Sequence, residues 1–162
     1  MLYWGDMDDT RNVTDVYKGV SLDAIITDLD KKGTGLEIAI ENLERDFNMG
    51  TIVRSANAFG ARHLHIIGRK QWNKRGAMAT DKYLHVIYHS SVADFLAAVQ
   101  GRPLVVFDNV PGSIPLADAT LLREGILVFG AEGSGVSQEL QEKAKEVVAI
   151  EQFGSTRSIN VG

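Results

Sequence analysis

Three short stretches of the chain combine glycine with polar side chains that could contact a ligand. They are residues 48–54, 130–135 and 158–162. Each follows a predicted strand, and in open α/β sheets ligands bind beyond the carboxyl ends of the strands. Glycine also lets backbone amides and carbonyls approach a ligand closely. The sequence therefore predicts a ligand site at the carboxyl edge of a sheet.

The glycine pattern of residues 130–135 differs from the common nucleotide motifs. It reads G-x-x-G-x-G, whereas a dinucleotide fold has G-x-G-x-x-G after its first strand and a P-loop ends in Lys-Ser/Thr. This spacing favours close backbone approach to a flat, weakly charged ligand such as adenosine. A plain tight turn is the alternative interpretation.

Strands and helices alternate along the chain, and these elements must position the three stretches. Short apolar runs predict strands at 36–40, 64–67, 86–88, 104–107, 126–129 and 147–150, and amphipathic patterns predict helices at 48–60, 92–99 and 137–145. The strands are almost continuously apolar, as strands covered on both faces are. We therefore predict an α/β fold, a mostly parallel sheet with flanking helices.

Composition limits the class of protein. A chain of 162 residues with 44% hydrophobic and 23% charged residues is typical of one globular domain. No apolar run is long enough to cross a bilayer, and the first residues lack a signal-peptide pattern. The absence of cysteine excludes disulfides and thiol chemistry and is consistent with a cytoplasmic location.

Positive charge is concentrated in one segment, although the net charge of the chain is −4. Residues 62–85 carry six basic residues and a single acidic one, Asp81. Cations beside Trp72 and Tyr83 are suited to phosphates and unpaired bases of RNA. The candidate RNA-binding residues are Arg69, Lys70, Lys74, Arg75 and Lys82. The alternative is a solvated basic loop.

In order and spacing, the three stretches resemble the signature motifs of the SpoU (TrmH-type) branch of the SPOUT RNA methyltransferases. That family carries N-x-G-x-x-x-R, G-x-E-x-x-G and S-[LI]-N-V. The matching residues are Asn48, Gly50 and Arg54, then Gly130, Glu132 and Gly135, then Ser158, Ile159, Asn160 and Val161. The resemblance covers roughly residues 36–162 and leaves 1–35 as a short N-terminal extension.

The resemblance implies methylation of an RNA ribose 2'-hydroxyl from S-adenosylmethionine. It also implies a homodimer, a C-terminal trefoil knot and a cofactor held mainly by backbone groups. By analogy those contacts fall on Gly130, Ile150 and Ile159, with Phe107 as a further candidate. The family usually continues beyond the third motif into a helix, so we expect a domain shortened at its C-terminus. The short extension favours tRNA over rRNA as substrate.

The resemblance also implies catalytic roles for Asn48, Arg54, Glu132, Ser158 and Asn160. A guanidinium holds its proton strongly, so Arg54 is a poor general base. It could instead stabilise a developing alkoxide or bind the adjacent phosphate. Glu132 would then orient Arg54 or Asn160. The structural alternatives are a helix cap at Asn48, a solvent-facing Arg54, and turn formation by Ser158 and Asn160.

Other functions have weaker support in the sequence. His63 and His65 would share one strand face, with His85 and His89 nearby, but without cysteine or a well-spaced carboxylate we expect no metal site. No G-x-S-x-G pattern supports a hydrolase. A catalytically idle RNA- or adenosine-binding module, and an enzyme that methylates a base, stay open as alternatives.

Overall fold

The computed structural model describes residues 9–42, 48–120, 122–131 and 133–155. The strands are β1 (Gly35–Asn42), β2 (His63–Gly68), β3 (His85–His89), β4 (Leu104–Phe107), β5 (Ile114–Pro115), β6 (Glu124–Phe129) and β7 (Glu146–Ala149). The helices are α1 (Leu22–Lys32), α2 (Met49–Ala58), α3 (Val92–Ala98) and α4 (Gln138–Lys143). All six predicted strands and all three predicted helices are present, with ends shifted by a few residues.

The strands form one sheet in the order β3-β2-β1-β6-β4-β7-β5, and each neighbouring pair is parallel. The predicted α/β fold with a mostly parallel sheet is therefore confirmed. The chain runs outwards from β1 to β3 and then returns to the other side of β1. This reversal is the place where ligands bind in open α/β sheets.

Apolar side chains cover both faces of the sheet. One cluster joins strand residues such as Val106 and Val128 to Phe95 of α3 and Leu140 of α4. The other joins Ile40 and Leu64 to the buried face of α2. Burial on both faces explains why the strands have continuous rather than alternating hydrophobicity.

The helix α1 lies within the proposed extension, for which we predict no element from the sequence. Its start is recognisable in the structure, because the Ser21 hydroxyl accepts a hydrogen bond from the Ala24 amide at 3.3 Å. Ile25 is buried, and the Asp30 carboxylate accepts a hydrogen bond from Arg62 at 2.7 Å. The helix therefore packs against the sheet domain. Over the described ranges, no helix is both long and apolar enough to cross a membrane.

The predicted loop between β2 and β3 contains two short 3-10 turns, Lys74–Ala77 and Thr80–Tyr83. The Asn73 side chain caps the first turn by accepting a hydrogen bond from the Arg75 amide at 3.0 Å. Met78 and Ala79 both adopt left-handed conformations between the turns, with φ of 49° and 63°. This loop is therefore a folded element that can hold its basic residues in place.

Candidate functional site

The sheet register places the ends of four strands next to one another. Ile40 of β1 pairs with Phe129 of β6, Phe129 pairs with Phe107 of β4, and Phe107 pairs with Val148 of β7. The segments that follow these strands therefore leave one edge of the sheet. The described candidates Asn48, Phe107, Gly130 and Ile150 all belong to this edge.

Two aromatic rings lie at the centre of this edge. The rings of Phe107 and Phe129 stack with their centroids 5.1 Å apart and their planes 20° apart, and both residues are partly exposed. Gly130 follows Phe129 directly. The Gln152 side chain, two residues beyond Ile150, has a buried Oε1 with no hydrogen-bond partner in the part of the chain that the structure describes. The edge thus combines a flat apolar surface with an unused buried acceptor.

The loop after β6 needs glycine for its own packing. The Gly135 amide donates to the Ala131 carbonyl at 2.9 Å, and Gly135 has a φ of +67°. A Cβ atom at Gly130 would lie 2.0 Å from the carbonyl carbon of Gly135. Both glycines are therefore required to close the loop, whatever ligand its backbone contacts.

The helix α2 carries the first motif. Met49, Ile52 and Val53 are buried, whereas Arg54 is exposed. Asn48 is partly buried, and its side chain makes no capping hydrogen bond although it occupies the N-cap position. Asn48 therefore stands at the predicted start of the helix without a side-chain capping bond. The exposed position of Arg54 fits both a contact with bound substrate and an ordinary solvent-facing residue.

Gly50 brings the basic loop against the first motif. A Cβ atom at this position would lie 2.7 Å from the Ala77 amide nitrogen and 2.8 Å from the Gly76 Cα. The first turn of α2 is therefore in backbone contact with the turn that carries Lys74 and Arg75. The sequence contains both glycines, but only the structure shows that they face each other.

The basic residues of the loop lie beside one of the two predicted aromatic rings, Trp72, and beside a second ring, Tyr88, in place of Tyr83. Lys74 Nζ lies 2.8 Å from the Asp81 carboxylate and 5.5 Å from the centre of the Trp72 ring. Lys70 Nζ lies 5.0 Å from the centre of the Tyr88 ring, and Arg69, Arg75 and Lys82 are exposed. The prediction of Tyr83 as a stacking surface is wrong, because Tyr83 is buried beneath the loop.

Four predicted site residues, Glu132, Ser158, Ile159 and Asn160, lie outside the described residues.

A cleft of about 530 Å³ lies at the opposite, amino-terminal edge of the sheet and is separate from the three motifs. Its charged groups are largely paired with one another. Arg62 binds Asp30 at 2.7 Å, and Arg102 binds Glu37 at 2.5 Å. We therefore place the candidate site at the carboxyl edge.

Two of the four histidines, His65 and His89, form a buried hydrogen-bonded chain with Glu37 beside this cleft. His65 Nε2 lies 2.8 Å from Glu37 Oε2, and His65 Nδ1 lies 2.9 Å from His89 Nε2. Burial lowers the pKa of both His65 and His89, although Glu37 opposes the shift at His65. Burial has this effect because it disfavours the charged form of each imidazole. Among the described residues, no three or more His, Asp or Glu side chains are placed to hold a metal ion.

Comparison with known proteins identifies the family. The SpoU rRNA Methylase family matches residues 35–162. The chain belongs to this family. The tRNA (guanosine(18)-2'-O)-methyltransferase of Escherichia coli (strain K12) is 22% identical over 141 residues, which cover 82% of this chain and 60% of that protein. This SpoU family member thus spans less than two thirds of that relative.

Solved structures show the same fold as this SpoU family member. The A. aeolicus TrmH/SpoU tRNA modifying enzyme superposes with a TM-score of 0.74 at 24% identity, over 86% of this chain and 74% of that one. The SpoU methyltransferase AviRb from Streptomyces viridochromogenes, in complex with the cofactor AdoMet, gives a TM-score of 0.65 at 23% identity. That match covers 77% of this chain and 53% of AviRb.

Proposed function

We propose that this protein transfers a methyl group from S-adenosylmethionine to a ribose 2'-hydroxyl of RNA, with tRNA favoured over rRNA. The observation that carries the proposal is the meeting of the first and second motifs at adjacent strand ends, in a chain of the SpoU family. The E. coli relative named as a tRNA 2'-O-methyltransferase supports both the reaction and the substrate class.

The residues at the carboxyl edge fit the proposed cofactor. The stacked rings of Phe107 and Phe129 offer an apolar surface to a flat base, and the unused Gln152 acceptor suits a polar group of a nucleoside. The related AviRb structure contains AdoMet. When bound, the cofactor supplies an electrophilic methyl group. Gly130, Ile150 and Phe107 are the described residues proposed to hold it, and Ile159 stays a prediction.

Arg54 is the residue proposed to act on the RNA. Its guanidinium can donate two parallel hydrogen bonds to the phosphate next to the target ribose and can stabilise negative charge developing on the 2'-oxygen. A phosphate oxygen or water takes the proton. Asn48 shares the ribose and phosphate contacts. The roles of Glu132, Ser158 and Asn160 stay predictions.

The basic loop is the proposed docking surface for the RNA. Its turn contacts α2 at Gly50, so phosphates held by the loop would lie close to the helix that carries Arg54. Exposed Arg75 and Lys82 provide charge, and Trp72 provides a ring beside Lys74. We further propose a homodimer acting in the cytoplasm, the trefoil knot, and the boundary of the extension near residue 35, all from the family resemblance.

The test is methyl transfer to tRNA isolated from cells that lack the gene, with nucleosides identified by mass spectrometry. The wild-type full-length protein should form one 2'-O-methylnucleoside. Arg54→Ala should slow this by about a hundredfold or more while leaving affinity for S-adenosylmethionine nearly unchanged. Arg54→Lys should not restore the rate, because an ammonium lacks the planar two-point contact.

Three other results would each reject part of the proposed mechanism. A base-methylated product would reject ribose chemistry, and binding of both ligands without turnover would indicate an idle binding module. A near-normal rate with Arg54→Lys would show that only positive charge is needed at this position. Arg123→Ala is a suitable control, because Arg123 is an exposed arginine before β6 at the opposite edge of the sheet.

A further inference from the structure

Two carboxylates from other parts of the sheet form hydrogen bonds with the loop that follows β6. Glu41 lies in β1, and its Oε2 accepts a hydrogen bond from the Ser137 amide at 2.7 Å. Asp108 directly follows β4, and its Oδ2 accepts a hydrogen bond from the Val136 amide at 2.8 Å. Two consecutive backbone amides at the end of the loop are therefore bound by acids from two different strands.

The burial of Glu41 requires an explanation. The residue is only 1% exposed and shares a sheet face with Ala39, which is completely buried. A carboxylate in such surroundings is unfavourable unless it is hydrogen-bonded. The bond to Ser137 provides this compensation, and an amide bound to a carboxylate forms one of the stronger kinds of hydrogen bond. The hydrogen bond with the loop therefore explains how the Glu41 carboxylate can be buried.

Asp108 fixes the same loop at its closest approach to the sheet. A Cβ atom at Gly135 would lie 2.4 Å from Asp108 Oδ2, so a side chain at this position would displace the carboxylate. The Asp108 amide in turn donates to the Val148 carbonyl of β7 at 3.0 Å. Asp108 therefore links the loop to two neighbouring strands at the edge where Phe107 and Ile150 lie.

We propose that Glu41 and Asp108 are positioning residues for the cofactor: they hold the described part of the loop, residues 130–131 and 133–137, in the conformation that binds S-adenosylmethionine, without touching it themselves. This inference rests on the proposed function. The described part of the loop bends back on itself through the close approach of Gly130 to Gly135, and the loop runs from the end of β6 to the start of α4. Removing either carboxylate loosens the end of the loop that leads into α4.

The experiment is calorimetric titration of the full-length protein with S-adenosylmethionine, well below the melting temperature of every variant. Glu41→Ala and Asp108→Ala should each weaken binding by about tenfold or more, the scale of removing one hydrogen bond to a charged group. Glu41→Gln and Asp108→Asn should weaken it less, because each keeps an acceptor oxygen. Exchange of the Val136 and Ser137 amide hydrogens should become faster in the alanine variants.

Glu37→Gln is the matched control. Glu37 lies on the same strand and face as Glu41 and is also buried and hydrogen-bonded, but it lies at the amino-terminal edge. This variant should lose stability and keep its affinity for S-adenosylmethionine. If Glu41→Ala does not fold, Asp108→Ala and Glu41→Gln decide the question, since Asp108 is only partly buried.

The outcomes separate this inference from the proposed function. If the wild type binds S-adenosylmethionine and the variants lose stability but bind equally well, the two acids are structural only and the inference is overturned. If the wild type binds neither S-adenosylmethionine nor its demethylated product, the proposed function fails and this inference fails with it. Weakened binding in the Glu41 and Asp108 variants, with normal binding in Glu37→Gln, supports it.

Discussion

Substitution of Gly50 by alanine tests the contact between the first motif and the basic loop. The added methyl carbon would lie 2.7 Å from the Ala77 nitrogen, 2.8 Å from the Gly76 Cα and 2.9 Å from the Gly76 carbonyl carbon. All three atoms belong to the backbone, so no side-chain rotation can relieve the clash. Either α2 or the turn Lys74–Ala77 must move.

Two opposing effects determine how much Gly50→Ala changes the free energy of unfolding. Overpacking of this kind costs about 1–3 kcal/mol. Alanine also favours a helix over glycine by up to about 1 kcal/mol, and by less in the first turn, where Gly50 lies. We therefore expect the free energy of unfolding to fall by about 1–2 kcal/mol. For a domain of this size, that lowers the melting temperature by about 2–8 °C.

Thermal unfolding followed by circular dichroism measures the effect, with urea unfolding as a second probe. Gly154→Ala is the control, because no described residue lies within 4 Å of the added Cβ atom and the φ of Gly154 is not positive. Its stability should stay within about 0.5 kcal/mol of the wild type. A melting temperature for Gly50→Ala at or above that of the wild type would refute the tight contact, and with it the idea that α2 fixes the basic loop.

Two further predictions concern charge. Replacing Arg75 and Lys82 together with alanine should weaken RNA binding and lower its salt slope by somewhat less than one unit for each phosphate that the loop no longer binds, measured by fluorescence anisotropy at several salt concentrations. The control is Lys32→Ala, which removes the ion pair with Asp28 on α1 and should change neither the RNA affinity nor its salt slope. An unchanged salt slope in the Arg75, Lys82 double variant would show that RNA docks elsewhere. Burial lowers the pKa of His65 and His89 in the folded protein. Their contribution to the free energy of unfolding is therefore complete above the pKa of histidine in the unfolded chain, about 6.5, and is lost as the pH falls towards their pKa values in the folded protein. The urea concentration at the unfolding midpoint should therefore decrease as the pH is lowered from 7.5 to 5.5. If an equally steep decrease persists in a His65→Gln, His89→Gln variant, other groups cause the pH dependence.

The location of the site can be predicted from the sequence because it depends on local patterns. Short β-branched runs followed by glycine identify the strand ends, and a parallel sheet brings such ends to one edge. The position of Gly130 after β6 follows from this pattern, as does the start of α2 at Asn48. The residue pairs within the site cannot be predicted in this way, since they join distant parts of the chain.

Long-range polar contacts account for most of what the sequence does not reveal. Glu41 and Ser137 are 96 residues apart, and Glu37 and His65 are 28 apart. Charged side chains are mostly exposed in proteins, so nothing local in the sequence marks Glu37 and Glu41 as buried. Only the placement of α3 and α4 over that face shows that these carboxylates are buried and need partners.

Two of the motif glycines are required for different physical reasons. Gly50 is needed because α2 meets the backbone of Gly76, and Gly135 is needed because of its positive φ and its contact with Asp108. Neither requirement involves a ligand. These glycines instead fix the positions of the basic loop and of the loop after β6, on either side of the edge to which Arg54 and Phe107 belong. The polar motif residues can act on RNA and cofactor only if those two loops are held in place, so a change at Gly50 or Gly135 should impair binding through the backbone, with every polar motif residue still present.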